Sequence, residues 1–431
     1  MASILEDLRA FYRFPAVRRR MWEFLGDGRQ ATCVYITADG LEWPRREPRP
    51  PSTLGPQLDR GLEICRSLWD RESLLAHLDI EYVNFDFPAE PYLDPVRTFT
   101  LQGPVEAAAA RELRRLGIPF LQVLSGRGHH FAWKIPHRGV LFESLRQIGQ
   151  AAVNGDLPTP CEESLEAAFS GLGLVIEHLA RRIRREAPCR IPVEFTAVEV
   201  PPGVRGREMI SIDLSEYADP LPARTVRIPF SGYLKPWQQA YAMGDLERLG
   251  PILFIPKSNL PTLECLPASR DPALAAELAA RTCCVIPDGS DGMARLVAEY
   301  LGSDLRVFHE EFHAIAHEPV WNWPVTYDRL PLEMLPTGVR EALLFPNDLL
   351  LRPASIQAVT RCLLDRGWHP RHIAGVVRSK FERDYGWGSA WDGYSPARRA
   401  DFYVRLFAAT HAEEVSLRER DSLLATAGWS Q

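Results

Sequence analysis

Strands and helices alternate in the hydrophobic pattern of the first half of the chain. The apolar, β-branched run Ile80–Phe87 predicts a buried strand, and Phe120–Leu124 and His129–Ile135 predict two more strands joined by a glycine-containing turn. Between the first two strands, Val105–Leu116 has helical spacing and ends at Gly117, a residue type that often terminates helices. The predicted order is therefore strand, helix, strand, strand.

The pattern continues with two helices and two further strands. The helices are predicted at about 140–154 and 163–186, and the strands at Val193–Val200 and Met209–Leu214. This order is typical of an α+β domain built on an RRM-like sheet. The chain is expected to divide into a mainly helical N-terminal segment (1–75), the α+β core (76–240), a partly helical connecting region (241–335) and a C-terminal all-helical domain (336–431).

The composition is that of an ordinary globular protein. The 431 residues carry a formal net charge of −6, and 46% of them are hydrophobic. No run of about 18 apolar residues occurs, so no membrane span is expected. The first residues lack the basic-then-apolar pattern of a signal peptide, so a cytoplasmic location is expected. The eight cysteines include no CxxC pair, which argues against a zinc ribbon or an iron–sulfur site.

Candidate metal ligands lie in the segment Tyr82–Phe87. Side chains alternate between the two faces of a strand, so Asn84 and Asp86 are expected on one face, about 7 Å apart along the strand. Carboxylate and amide oxygens at this spacing suit hard divalent cations. The alternative is an edge strand whose polar side faces water.

Candidate phosphate ligands lie in the turn Ser125-Gly126-Arg127-Gly128 and the strand that follows it. Its glycines allow a tight turn and a close backbone approach, and Arg127 offers a planar, doubly donating cation. His129 and His130 point to opposite faces, so one of them reaches the face of the candidate metal ligands. An ordinary hairpin with an incidental histidine pair is the alternative.

A third candidate segment follows the last predicted strand of the core. Asp213 is flanked by apolar strand residues, which is typical of a carboxylate carried by a strand. Positive charge and a hydroxyl donor come next, as binding of a triphosphate would require, in Arg224, Arg227, Ser231 and Lys235. A solvated basic loop is the alternative interpretation of these residues.

Together the three segments resemble the archaeo-eukaryotic primase (prim-pol) superfamily. That family has a DxD motif on a strand, an SxxGxH-like motif on a hairpin, one Asp on a later strand, and then an Arg-x-x-Arg-x-Pro-x-Ser-x-His-x-Lys segment. The order is the same here, with about forty residues between the first two motifs and about eighty between the second and third. The resemblance covers about 76–240 and implies an RRM-like primase-polymerase catalytic core.

The resemblance implies template-directed nucleotidyl transfer with two Mg²⁺ or Mn²⁺ ions. It assigns catalysis to Asp86, Asp213, Asn84 and His130, with the metal held by Asn84, Asp86 and Asp213. It assigns nucleotide binding to Ser125, Arg127, Gly128, Arg224, Arg227, Ser231 and Lys235. The implied partners are a single-stranded DNA or RNA template, nucleoside triphosphates and proteins of replication or defence, without a membrane.

Two positions depart from the family pattern. Asn84 stands in place of the first Asp and contributes no charge, so weaker metal binding is expected. Tyr233 stands where the family often has His. These departures leave open a second hypothesis, a catalytically degenerate primase-like domain that binds nucleic acid or nucleotide.

Two features lie outside the core. Between Arg352 and Arg405, ten arginines and lysines accompany five aspartates and glutamates, with aromatic residues interleaved. This composition is typical of a single-strand nucleic-acid surface, and also of a helical bundle with an aromatic core. Separately, His309-Glu310-Glu311-Phe312-His313 matches HExxH, so a zinc hydrolase using His309, Glu310 and His313 is a third hypothesis, with a plain surface helix as the alternative.

Overall fold

The computed structural model describes residues 2–26, 31–38, 48–152, 160–238, 249–257, 259–346, 349, 352–381 and 395–427. Within them lie nine strands. They are Tyr35–Ala38 (β1), Glu63–Ser67 (β2), Ser73–Asn84 (β3), Leu121–Leu124 (β4), Gly128–Pro136 (β5), Val193–Phe195 (β6), Glu208–Asp213 (β7), Thr225–Arg227 (β8) and Ile255–Pro256 (β9).

Helices make up most of the remaining ordered structure. They are Ala2–Phe11 (α1), Pro15–Phe24 (α2), Leu54–Leu58 (α3), Glu90–Leu93 (α4), Pro95–Leu116 (α5), Val140–Gly149 (α6), Pro160–Glu186 (α7), Lys235–Gln238 (α8), Thr262–Cys265 (α9), Pro272–Arg281 (α10), Ser290–Leu301 (α11), Asp304–Ala314 (α12), Thr337–Leu344 (α13), Pro353–Leu364 (α14), Pro370–Phe381 (α15) and Pro396–Ala427 (α16). Among the described residues, none of these helices combines the length and apolarity that crossing a membrane requires.

The strands form two sheets. The larger has the order β6-β7-β3-β5-β4-β9, and the smaller has the order β1-β2-β8. All pairs of the larger sheet are antiparallel except β6 with β7, which are parallel. The protein therefore has the mixed α+β fold that the sequence predicts, while the RRM-like character of the sheet stays a prediction.

β3 is the central strand, and its two faces differ. Leu78, Ile80 and Tyr82 are fully buried on the face toward α5. His77, Asp79 and Glu81 alternate with them and share the opposite face. The strand begins at Ser73 and ends at Asn84, whereas the apolar run predicted Ile80–Phe87. The alternation of polar and apolar residues from His77 onward therefore marks strand residues that the predicted run Ile80–Phe87 left out.

Local capping explains where α5 begins and ends. Its N-cap residue Asp94 accepts a hydrogen bond from the Arg97 backbone N–H at 3.2 Å, and Pro95 occupies the first turn. Gly117 ends the helix with a left-handed φ of 65°, as predicted from the sequence. The helix starts at Pro95, ten residues before the predicted start at Val105, and it continues through Pro104.

The described chain separates into two compact units. One contains Met1–Gly149, Ser164–Glu216 and Leu221–Ala298, and the other contains Gln150–Glu163, Tyr217–Pro220 and Glu299–Gln431. Both sheets lie in the first unit, and the helices from α12 onward lie in the second. The four-segment division expected from the sequence stays a prediction.

Candidate active site

Three carboxylates meet on one face of the large sheet. Asp79 and Glu81 lie two residues apart on β3, so their side chains leave the same face. Asp213, the last residue of β7, is the direct antiparallel partner of Asp79. One oxygen from each of the three side chains lies within 4.8 Å of the others. This set of oxygen donors is of the kind that hard divalent cations bind.

The carboxylate of Asp79 lies close to its neighbours and is largely buried. The side chain of Asp79 is only 15% exposed, and its Oδ1 has no hydrogen-bond partner among the described residues. Burial raises the pKa of Asp79 well above its ordinary value, and the nearby carboxylates of Glu81, Asp213 and Glu216 raise it further. A bound cation would remove this repulsion, so the three residues fit a divalent metal.

His130 extends the cluster on the neighbouring strand. It pairs directly with Asp79 across β3 and β5, and its Nε2 lies 3.4 Å from Asp79 Oδ1. Burial lowers the pKa of His130 well below its ordinary value, and the charges of His77 and Arg227 lower it further. The imidazole is therefore neutral at pH 7 and can donate one hydrogen bond.

Two half-buried arginines lie near His130. Arg127 forms an ion pair with Glu81, and Arg227 forms one with Glu63. Burial alone would lower the pKa of each guanidinium, but the paired carboxylates outweigh it and both pKa values are raised. The Arg227 guanidinium also lies over the ring of Tyr233, 4.4 Å from its centroid. Both arginines therefore carry permanent charge close to the carboxylate cluster.

The glycines at and just before the start of β5 leave no room for a side chain. A Cβ on Gly128 would lie 1.9 Å from the backbone oxygen of Ile80, and one on Gly126 would lie 2.5 Å from the Tyr233 ring. Ser125 is buried, and its Oγ accepts a hydrogen bond from the Arg127 N–H at 3.3 Å. The glycines thus let the hairpin approach β3 and Tyr233, which brings Arg127 to Glu81.

The remaining predicted phosphate ligands have other contacts or lie apart from this group. Arg224 donates to the backbone oxygen of Ser215. Ser231 Oγ accepts the Ile64 N–H at 2.8 Å, which ties the loop after β8 to β2. Lys235 begins α8 and is half-buried. Arg227, from the same segment, lies close enough for its charge to act on His130.

Asn84 and Asp86, two of the predicted metal ligands, lie apart from Asp213. Asn84 pairs with Glu208 at the far end of β7, five residues or about 17 Å along the strand from the Asp79–Asp213 pair. Its even position also places its side chain on the face toward α5, where Nδ2 donates to Glu90 at 2.8 Å.

The contacts of these two residues explain their place in the fold. Asn84 Oδ1 accepts the backbone N–H groups of Asp86 and Phe87, both at 3.0 Å, so the side chain stabilises the turn after β3. Asp86 lies in that turn and pairs with Arg207, whose Nη2 is 2.7 Å from Oδ1. This ion pair lowers the pKa of Asp86. Neither side chain is available to the carboxylate cluster.

A sequence signal for the missed residues was present. Between His77 and Tyr82, polar and apolar residues alternate, as they do in a strand with one covered face. Asp79-Ile80-Glu81 within this stretch has the carboxylate spacing of the DxD motif that was sought in Asn84 and Asp86. Asn84 lies outside the cluster, so its uncharged side chain does not leave the cluster one carboxylate short.

The HExxH segment offers fewer ligands than a zinc site needs. It lies on α12, where the buried His309 places its Nδ1 3.0 Å from the hydroxyl of Tyr300. Glu310 is exposed and pairs with Arg306 at 3.1 Å. Among the described residues, no third histidine, cysteine or carboxylate joins His309 and His313 within the distance that groups Asp79, Glu81 and Asp213.

The basic and aromatic C-terminal segment is described only in part. Phe402 and Tyr403 are buried in α16, so these two aromatic residues belong to the core of the second unit. Trp368 is half-buried. Other aromatic residues of this segment lie outside the described residues, namely Tyr385, Trp387, Trp391 and Tyr394. The described part thus favours the helical-bundle interpretation for Phe402 and Tyr403.

Comparison with known proteins adds one similar structure. No family model matches the sequence, and no curated protein matches it. Among solved structures, the chain is similar to the polymerase domain of Mycobacterium tuberculosis Ligase D, determined in complex with DNA. The two share 12% sequence identity over 72% of this chain and 93% of that chain, with a TM-score of 0.35.

Proposed function

We propose that this protein is a divalent-metal-dependent nucleotidyltransferase of the primase-polymerase type, acting on a nucleic-acid strand with nucleoside triphosphates. The observation that carries the proposal is the meeting of Asp79, Glu81 and Asp213 on adjoining strands, beside the neutral His130. The resemblance of the hairpin and of the Arg224–Lys235 segment to the prim-pol motifs supports the same assignment.

In this mechanism Asp79, Glu81 and Asp213 would hold Mg²⁺ or Mn²⁺. When bound, the ion would supply Lewis-acid stabilisation of negative charge for nucleotidyl transfer, in which a 3′-hydroxyl gives up its proton, bonds to the α-phosphorus and displaces pyrophosphate. Arg127 and Arg227 supply fixed positive charge for the triphosphate oxygens. His130 donates a hydrogen bond to the same group without adding charge, because its imidazole is neutral.

An extension assay tests the proposal and separates the two possible metal sites. The purified protein is incubated with Mn²⁺, labelled nucleotides and a primed single-stranded template, using ribo- and deoxyribonucleotides in parallel. We expect products that Asp79→Asn, Glu81→Gln and Asp213→Asn each reduce at least 100-fold, in line with the loss of a group that acts only in the transition state.

Asp86→Asn is the matched control, because it also removes one carboxylate but on the surface beside Arg207. We expect its extension rate to stay within about threefold of wild type, because substitutions at the surface usually have small effects. Loss of activity in Asp86→Asn together with full activity in Asp79→Asn would return the metal site to the position that the sequence suggested. Strand binding without any extension by the wild type would instead favour the catalytically degenerate domain.

A further inference from the structure

A histidine–glutamate pair lies directly beside the carboxylate cluster and has no role in the mechanism above. His77 precedes Asp79 by two residues on β3, shares its face, and is 2% exposed. Its Nδ1 lies 2.8 and 2.7 Å from the two carboxylate oxygens of Glu216. A carboxylate only accepts hydrogen bonds, so Nδ1 is the protonated nitrogen and donates to Glu216.

His77 in turn contacts His130. The two rings meet edge to face, with centroids 4.7 Å apart and an interplanar angle of 67°. Phe254 contacts another side of the His130 ring at 5.3 Å with an angle of 90°. The imidazole of His130 is therefore confined by His77, Phe254 and its cross-strand neighbour Asp79.

We propose that Glu216 and His77 are positioning residues that orient His130 toward the phosphates of a bound nucleoside triphosphate. The inference rests on the proposed function, because it assumes that His130 contacts the triphosphate. The hydrogen bond to Glu216 fixes the tautomer and the rotation of the His77 ring, and that ring fixes His130 by packing.

The orientation of His130 decides whether it can bind a phosphate oxygen. An imidazole N–H forms a good hydrogen bond only when it is aligned with the acceptor. Groups that orient such ligands from behind typically change affinity or activity by about 10- to 100-fold when removed. His77 packs edge to face against the His130 ring, so the orientation of that ring depends on the packing that His77 provides.

The test measures binding of a non-hydrolysable nucleoside triphosphate in the presence of Mn²⁺, by calorimetry, alongside binding of Mn²⁺ alone. We expect Glu216→Ala and His77→Ala to weaken triphosphate binding about 10-fold or more, the effect of losing an orienting partner. Affinity for Mn²⁺ alone should change by less than about threefold, because the three carboxylates remain. In steady-state extension, KM for the nucleotide should rise more than kcat falls.

Rescue distinguishes orientation from charge. Glu216→Gln keeps an oxygen that accepts the His77 N–H, so its triphosphate affinity should stay within about threefold of wild type. His137→Phe is the control for losing an imidazole from the same region, since His137 follows β5 and packs against Phe142. It should bind the triphosphate as wild type does. His77→Gln replaces His77→Ala if the alanine variant does not fold.

Wild-type triphosphate affinity in Glu216→Ala and in the folded His77 variant would overturn the proposal. Equal losses in Glu216→Gln and Glu216→Ala would also overturn it, because the charge of Glu216 would then be what matters. Failure of the proposed function looks different, since the wild type would then extend no primer, or Asp79→Asn would bind Mn²⁺ and extend primers as well as the wild type does.

Discussion

Asp79→Asn should stabilise the metal-free protein and remove its stabilisation by Mn²⁺. In the metal-free protein, Asp79 lies within 4.8 Å of two other carboxylates. At that distance and an effective dielectric constant near 20, each pair of ionised groups repels by about 3–4 kcal/mol. The ion pair of Glu81 with Arg127 and the Ser215 N–H that Asp213 accepts at 2.8 Å reduce this repulsion. We therefore expect a net gain of about 1–3 kcal/mol for the variant at pH 8.

The expected temperature shifts follow from these free energies. A gain of 1 kcal/mol raises Tm by about 2–4 °C in a unit of this size, so Asp79→Asn should melt about 2–12 °C above wild type in EDTA. A cation at 100 times its Kd stabilises the wild type by about 2.7 kcal/mol and should raise its Tm by a similar range. The variant should gain little from Mn²⁺, so the difference between the two proteins should narrow or reverse.

Scanning calorimetry at pH 8 measures the Tm of wild type and of Asp79→Asn, each in EDTA and in Mn²⁺. Measurements at lower pH provide a second test of the sign of the difference in Tm between the two proteins. The pKa of Asp79 is raised in the folded state, so the repulsion is present above that pKa and disappears as the pH falls through it. The advantage of the variant should shrink accordingly. A Tm of metal-free Asp79→Asn below that of wild type, or an undiminished Mn²⁺ effect in the variant, would refute the reasoning.

Two further predictions concern the hairpin and its first histidine. Gly128→Ala should lower the free energy of unfolding, measured with urea, by at least about 3 kcal/mol, because the added Cβ would lie 1.9 Å from the backbone oxygen of Ile80. Gly103→Ala is the control on α5, where an added Cβ meets no atom within 4 Å, and it should raise the free energy of unfolding by up to about 1 kcal/mol. Equal effects of the two substitutions would contradict this steric argument. His129 is fully buried and its pKa is lowered to about 4, so the unfolded chain binds a proton between pH 6.5 and 4 that the folded chain does not. Wild type should therefore lose about 3 kcal/mol more than His129→Phe over that range, and parallel pH profiles of unfolding free energy would count against a buried neutral imidazole.

The sequence predicted several elements of the core but not their register. Helical spacing and Gly117 predicted the end of α5, and the glycine turn predicted the hairpin before β5. The pairing of Asp79 with Asp213 depends on how β3 and β7 align, which no local pattern encodes. A strand that began at Ile80 left Asp79 outside, so the search for two acceptors two residues apart found Asn84 and Asp86 instead.

The contacts of charged residues were the other part that the sequence could not supply. Arg224 and Arg227 belong to one basic segment, yet one binds a backbone oxygen and the other pairs with Glu63 beside His130. Glu63 on β2 is 164 positions from Arg227, and Ser215 is nine positions from Arg224, so neither partner is evident from the basic segment itself. The His77–Glu216 pair joins residues 139 positions apart, so it too becomes visible only in three dimensions.

The two faces of β3 limit how this chain can change during evolution. Asp79 and Glu81 serve the cluster on one face, and three residues later Asn84 stabilises a turn from the other. Inserting or deleting a single residue between Glu81 and Asn84 would exchange the faces of everything beyond it. Length variation in homologous chains should therefore accumulate outside 77–84, and this strand should keep its length even where its sequence diverges.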